Sequence, residues 1–278
     1  MSTRALCISQ DAGVRGLVDD ALGRAGLTVD HADRLPDPIG LGNVAVVVVD
    51  RAARQAAGTR LRAVTTPVVV VGDDLDDDGL ITLMLEAPVS HVIGDATDPD
   101  LGITSKKLVS GDLFGLEKYI GRPATIGERV IADAPAKRLA MIEVCSWAES
   151  CGARRPAVHR LANVVDELVM NALREGVPAV LRWACDGTVL AVSVSDRLGT
   201  MRQRDVIDNL RRARSERGRP QDSRPYADGA GLGLYLVLAN VASFIVNVEP
   251  GRRTEVVCLF DVDRLSHGAR SLHVFAAP

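Results

Sequence analysis

Four short Val/Ile-rich runs, at residues 5–9, 44–50, 67–72 and 89–93, constrain the first hundred residues most. Each is strand-length and apolar without alternation, as strands covered on both faces are. Between them, residues 14–25 carry apolar side chains at 14, 17, 18, 21, 22 and 25, a helical stripe, and 80–86 reads as a second, short helix. Strand–helix alternation of this kind predicts a doubly wound parallel α/β sheet.

Such sheets present ligands beyond the carboxyl ends of their strands, and Asp50 closes the 44–49 run at that edge. Residues 4–105 resemble the receiver domain of two-component response regulators. The resemblance implies a phosphoacceptor at Asp50, an acidic pair for Mg²⁺ after the first strand, and a hydroxyl and a Lys after the fourth and fifth. The chain keeps Asp50. It has Ser9-Gln10-Asp11 in place of the acidic pair, Gly72-Asp73 after the fourth strand and Gly94-Asp95 after the fifth. With the Lys missing and fewer carboxylates, charge neutralisation for phosphoryl transfer is weak. The segment reads as a degenerate receiver, in which Asp50 is either a phosphoacceptor or a polar strand-end residue. The acidic stretch Asp73-Asp74-Leu-Asp76-Asp77-Asp78 reads as a solvated loop.

Residues 106–125 read as a connector and 126–265 as a second, α+β domain, followed by a tail over 266–278. Helices are expected at 135–151 and 159–174. Hairpins are expected across Asp186-Gly187, which supplies positive φ, and across Pro250-Gly251. Residues 200–228 are polar and rich in Arg, with a helical piece at 205–213, and a helix is expected over 232–242.

On the 159–174 helix, Glu167 and Asn171 are one turn apart, with Arg174 three further on. A carboxylate, an amide oxygen and a cation so grouped suit a Mg²⁺-polyphosphate: Asn171 as hard-cation ligand, Glu167 as base, Arg174 on phosphate oxygens. The same spacing also fits the solvated side of an amphipathic helix. Asp196 ends the following strand, with Gly199 permitting a close turn. Downstream, Asp228-Gly229-Ala230-Gly231-Leu232-Gly233-Leu234 sets three glycines on alternate positions before an apolar run. Glycines at a helix start let backbone amides line up on an anion. A dinucleotide-binding G-x-G-x-x-G is excluded, because position 234 is Leu.

Taken together, residues 126–262 resemble the GHKL ATPase superfamily, whose Bergerat fold is an α/β sandwich with helices on one face of a mixed sheet. Glu167-Leu-Val-Met-Asn171-Ala-Leu-Arg174 looks like its N box, Val194-Ser-Asp196-Arg-Leu-Gly199 its G1 box, and Gly229-Ala-Gly231-Leu232-Gly233-Leu234 its G2 box. The resemblance implies ATP and Mg²⁺ as cofactors: Asn171 on the metal, Asp196 reading adenine, the G2 amides on phosphates and 200–228 as a cationic lid. The G1 pattern departs at Leu198 and Thr200, where the family carries glycine.

No His stands on a dimerising helix with an acidic follower, so the small domain looks more like anti-sigma-factor serine kinases than histidine kinases. The expectation is a bacterial signalling protein, a kinase-like regulator acting on a partner protein. The alternative is a non-catalytic nucleotide-sensing or partner-binding module with a pseudo-receiver. Near-balanced charge, −3, and few aromatics argue against nucleic acid. No apolar run spans a bilayer, five scattered cysteines suit a reducing compartment, and the expected location is cytoplasmic. A homodimer is left open.

Overall fold

The computed structural model describes residues 3–277 except 38–40, 73–74, 86–88, 97–98, 122–123, 174–175, 217–229 and 263–267. Side chains of 214–216 and 230–232 also lie outside the description. The chain forms two compact units, Met1–Leu113 with Arg270–His273, and Phe114–Ala269 with Val274–Pro278. Both contain strands and helices; the strands are parallel in the first apart from the antiparallel 271–273, and antiparallel in the second.

In the first unit the elements are β1 (Arg4–Ile8), α1 (Ala12–Arg24), β2 (Thr28–Ala32), β3 (Val46–Asp50), α2 (Arg51–Ala57), β4 (Val68–Val71), α3 (Asp77–Met84), β5 (His91–Ile93) and α4 (Asp100–Ser110). The strands lie in the order β2-β1-β3-β4-β5, all parallel. This is a doubly wound order, with its reversal between β1 and β3. One face packs Ala5, Cys7, Val46, Val48 and Val69 against Val18 and Leu22 of α1 and Leu101 of α4. The alternate residues Val47, Val49, Val68 and Val70 are equally buried, so the runs are apolar on both faces, as the sequence requires. Aspartates start the helices: Asp11 Oδ1 accepts from Gly13 N at 2.7 Å and Val14 N at 3.1 Å, and Asp76 Oδ1 from Gly79 N at 2.7 Å.

Three elements here depart from expectation. β2 lies at the sheet edge and is half-exposed, so it lacks the apolar run that marks its neighbours. α4, whose latter part was expected in the connector, belongs to this unit. Ser271–His273, expected as tail, open strand β11 (Ser271–Ala276) and pair antiparallel with β5.

The return of 271–273 builds a buried polar cluster. Ser271 Oγ donates to Asp100 Oδ2, and His273 Nε2 stands 3.4 Å from the same oxygen, an ion-pair separation rather than a well-formed hydrogen bond. His91 stacks on His273 at 5.6 Å between ring centroids. Burial, then the His273 and Lys107 charges, hold the His91 pKa well below 6.5. The unfolded chain therefore takes up a proton below about pH 6.5 that the folded unit refuses, and stability falls as pH drops through that window. Replacing His91 by Phe should flatten the pH dependence of this unit's urea midpoint between pH 6.5 and 5, and an unchanged slope would remove His91 as its source.

The second unit contains β6 (Gly127–Ile131), α5 (Ala134–Ser150), α6 (Arg155–Ala172), β7 (Ala179–Cys185), β8 (Val189–Asp196), α7 (Gln203–Glu216), α8 (Ala230–Leu238), β9 (Ser243–Glu249) and β10 (Arg253–Asp261). Its strands run β9-β10-β8-β7-β6, antiparallel at every step. The 186–187 hairpin forms, with its turn centred one residue later than expected: Asp186 N donates to Val189 O at 3.2 Å, and Gly187 has φ 94°. α6 buries Leu161, Val164, Val165, Leu168 and Ala172 along one stripe, with Val169 beside them, and packs on β7, β8, β10 and α8. Trp183 meets Trp147 of α5 at 6.4 Å, so that face of the sheet carries the helices. The ring also fills the space above Gly127, its cross-strand partner.

The opposite sheet face carries the segment 114–121. Gly115 N donates to Glu255 Oε2 at 2.9 Å and Gly121 N to Asp186 Oδ2 at 2.9 Å. The Arg253 guanidinium lies 4.5 Å over the Phe114 ring.

Candidate functional site

Glu167 faces α8 from α6, with Asn171 beside it on the same helix. Asn171 Nδ2 donates to Glu167 Oε1 at 3.0 Å, the i,i+4 contact that the sequence spacing allows. The Glu167 carboxylate rests on Gly233: a β-carbon there would lie 1.7 Å from Oε1 and 2.3 Å from Cδ. Only glycine leaves room for this contact. Gly233 sits in the first turn of α8, where backbone N–H groups lack intrahelical acceptors and a negative charge is favoured.

This changes the expected reading of the glycine run. Ala230–Leu238 is helical, so the helix takes in Gly231 as well as Leu232, Gly233 and Leu234, opening two residues before the expected start at Leu232. The helix also ends at Leu238, short of the expected Ala242. Leu234 is buried. Gly229 and Arg174 lie outside the described residues.

Asp196 ends β8 as expected. Its Oδ1 accepts from Leu198 N at 2.8 Å and Gly199 N at 3.3 Å, closing a tight turn. Gly199 has φ 59° and packs on the β9–β10 turn, where Gly251 N donates to Gly199 O at 3.0 Å. Asp196 lines a cavity of about 740 Å³ with Arg182, Arg197, Arg252 and Arg253. Glu128 and Glu249 also line it, pairing with Arg182 at 3.4 Å and with Arg252 at 2.6 Å. Glu167, Asn171 and Gly233 do not line this cavity. The predicted residues thus assemble in two groups, Glu167–Asn171–Gly233 and Asp196–Gly199. The sequence reading missed the arginines from β7 and β10, whose approach depends on strand register that no local pattern reveals.

Over 203–216 the expected lid is helix α7, longer than the predicted 205–213. Val206, Leu210 and Ala213 are buried, and α7 packs on α8. Arg211 pairs with Asp208 at 2.8 Å and Arg212 Nη2 donates to Asn209 Oδ1 at 2.6 Å. Arg202 and Arg204 are in the described part, whereas Arg217, Arg219 and Arg224 lie outside it.

In the first unit Asp50 Oδ1 accepts from Ala53 N at 2.6 Å, the cap of α2. Asp11 is likewise a cap, and Arg15 covers the end of β1, bonding the Ser9 carbonyl and Asp33 Oδ1, the latter at 2.5 Å. Among the described residues no three His, Cys, Asp or Glu side chains group as metal ligands. Burial, then Asp19, pushes the Cys7 thiol up to about 12, and burial pushes Cys258 up as well. Neither is a ready nucleophile.

No helix among the described residues is long and apolar enough to cross a membrane. Comparison with known proteins found no family model that matches this chain and no curated protein that matches its sequence.

Proposed function

We propose that the second unit is a GHKL-like domain that binds Mg²⁺-ATP, and that the chain is a kinase-like signalling regulator acting on a partner protein. The observation that carries this reading is the meeting of Glu167, Asn171 and the first turn of α8 at Gly233. The donor set fits the cofactor. With Nδ2 turned to Glu167, Asn171 keeps its amide oxygen for a hard cation. N–H groups at the start of a helix suit phosphate oxygens, and Gly233 brings no side chain to screen them. Bound Mg²⁺-ATP would supply a phosphoryl donor with its charge partly neutralised. Glu167 would take the proton of an attacking hydroxyl on the partner, and Asp196 would accept a hydrogen bond from the base.

A thermal shift with Mg²⁺-ATP tests this. At about a hundred times the dissociation constant, ligand should stabilise wild type by roughly 2.7 kcal/mol. Asn171→Ala should remove most of that shift while leaving the unliganded melting temperature within about 2 °C, since a half-buried side chain is lost from a helix surface. No shift in wild type would end the ATP reading. Binding without transfer of the γ-phosphoryl group to any partner, and no change with Glu167→Gln, would leave a nucleotide sensor.

One observation favours that second, non-catalytic reading for the first unit. Asp11 and Asp50 are both engaged as helix caps and Arg15 covers the strand end. A doubly wound unit with those groups engaged suits a receiver-like docking module rather than a phosphoacceptor.

A further inference from the structure

Two of the five cysteines meet in the second unit. Cys151 caps the C-terminus of α5 and Cys185 closes β7. All of α6 separates them in sequence, yet their thiols are in hydrogen-bonding contact. A second contact between the same two elements fixes the approach. Trp147 lies one turn before Cys151 on α5, and Trp183 lies two residues before Cys185 on β7, so each couple shares a face of its element. The Trp147 and Trp183 rings stand 6.4 Å apart. Cys151 and Cys185 are both only partly buried, within reach of a small oxidant, whereas Cys7 and Cys258 are sealed in the core. Cys145 is also partly buried, but it points about a third of a turn away from Cys151 round α5.

The local donors set which sulfur does what. Gly187 N, in the turn after β7, donates to Cys185 Sγ at 3.2 Å. Burial, then the Cys185 sulfur, push the Cys151 thiol up to about 11, so the proton between the pair stays on Cys151. Cys185 therefore accepts from both sides, which leaves it as the sulfur that attacks. We propose that Cys151 and Cys185 form an oxidisable dithiol that hydrogen peroxide converts to a disulfide, stapling the end of α5 to the β7–β8 hairpin. The Cys185 sulfur attacks one peroxide oxygen, the O–O bond breaks, and the departing hydroxide takes the Cys185 proton and leaves as water. Cys185 is then a sulfenic acid. The Cys151 sulfur attacks the Cys185 sulfur, the S–O bond breaks, and hydroxide leaves with the Cys151 proton as a second water. Two electrons pass from the sulfur pair to the peroxide, and no further reactant is needed. The bond encloses residues 152–184, and with them α6 and its Glu167 and Asn171. In a reducing compartment such a bond forms on oxidation and is then reversed. The inference stands on the contact between α5 and β7 and does not depend on nucleotide binding.

Hydrogen peroxide added to the reduced full chain tests it, read by mass spectrometry of non-reduced peptides. A cross-linked Cys151–Cys185 peptide is expected, cleaved by dithiothreitol, with Cys7, Cys145 and Cys258 still open to alkylation once the chain is unfolded. The native chain should close the bond at least ~10-fold faster than the same chain in urea, because the fold holds the two sulfurs together. In Cys151→Ser, dimedone should trap the sulfenic acid at Cys185. Melting temperatures confirm that the variants are folded, and the wild-type measurements need no variant. Absence of the cross-linked peptide from the wild-type chain, or closure no faster than in urea, overturns the dithiol. Sulfenic acid trapped at Cys151 in Cys185→Ser as readily as at Cys185 in Cys151→Ser overturns the order of attack.

Discussion

Replacing Gly199 by alanine is expected to destabilise the second unit by about 3 kcal/mol or more, summed from a left-handed backbone and steric overlap. The added β-carbon would lie 2.2 Å from Glu249 O, 2.5 Å from Arg252 N and 2.7 Å from Gly251 N. All three are backbone atoms of the β9–β10 turn, so no side-chain rotation relieves the overlap. The residue also holds φ 59°, where an L side chain is itself strained by roughly 1–2 kcal/mol. Gly152, at φ 87° with nothing within 4 Å of where a β-carbon would sit, isolates that backbone part. Gly152→Ala should cost only about 1 kcal/mol. Thermal melts of the two variants beside wild type should therefore separate by several degrees at roughly 2–4 °C per kcal/mol. Equal losses would show that the turn yields to the methyl. The functional consequence follows from Asp196, whose carboxylate accepts from Gly199 N. A displaced Gly199 removes the longer of the two bonds that Oδ1 accepts, leaving that from Leu198 N, and so loosens the side chain proposed to read the base.

This dependence shows why the site was only partly legible in the sequence. Asp196 and Gly199 could be marked as a strand-end carboxylate and a turn glycine because both signals are local. That Gly199 must touch the turn after Glu249 is a contact with a distant stretch of chain, with no trace in spacing. The glycine run shows the same limit. Alternate glycines before an apolar stretch suggested a phosphate loop, yet Gly231 and Gly233 are helical, and Gly233 is small because Glu167 lies against it. The continuous Val runs of β3 and β4 and the stripe of α6 were legible because burial on both faces, or on one helical face, writes itself into consecutive residues. β2, β6 and the first part of β11 were not. β2 and β6 are half-exposed edge strands, and β11 finds its β5 partner across most of the chain.

The same long-range return of the chain carries the largest stability effect expected in the first unit. Asp100, 2 % exposed, opens α4 and accepts from Ser271, with His273 and Lys107 supplying charge. Burial alone would raise its pKa. The His273 imidazole close beside it, then Ser271 and Lys107, outweigh it and hold the carboxyl below 3.8. Its folded pKa is thus depressed, so its contribution is full above the unfolded value and is lost as pH falls below about 3.8. Asp100→Ala should cost about 3–5 kcal/mol at neutral pH, because it leaves Lys107, 1 % exposed, without this carboxylate. Ser271→Ala should cost only about 1–2 kcal/mol, one hydrogen bond to a charged acceptor. Because Ser271–His273 are held to β5 and Asp100 together, amide exchange at 271–273 should quicken in Asp100→Ala before exchange in β1 or β3 does. A loss below about 1 kcal/mol in urea melts, or uniform exchange across the sheet, would mean that β5 pairing alone retains the strand and that the buried carboxylate is replaceable.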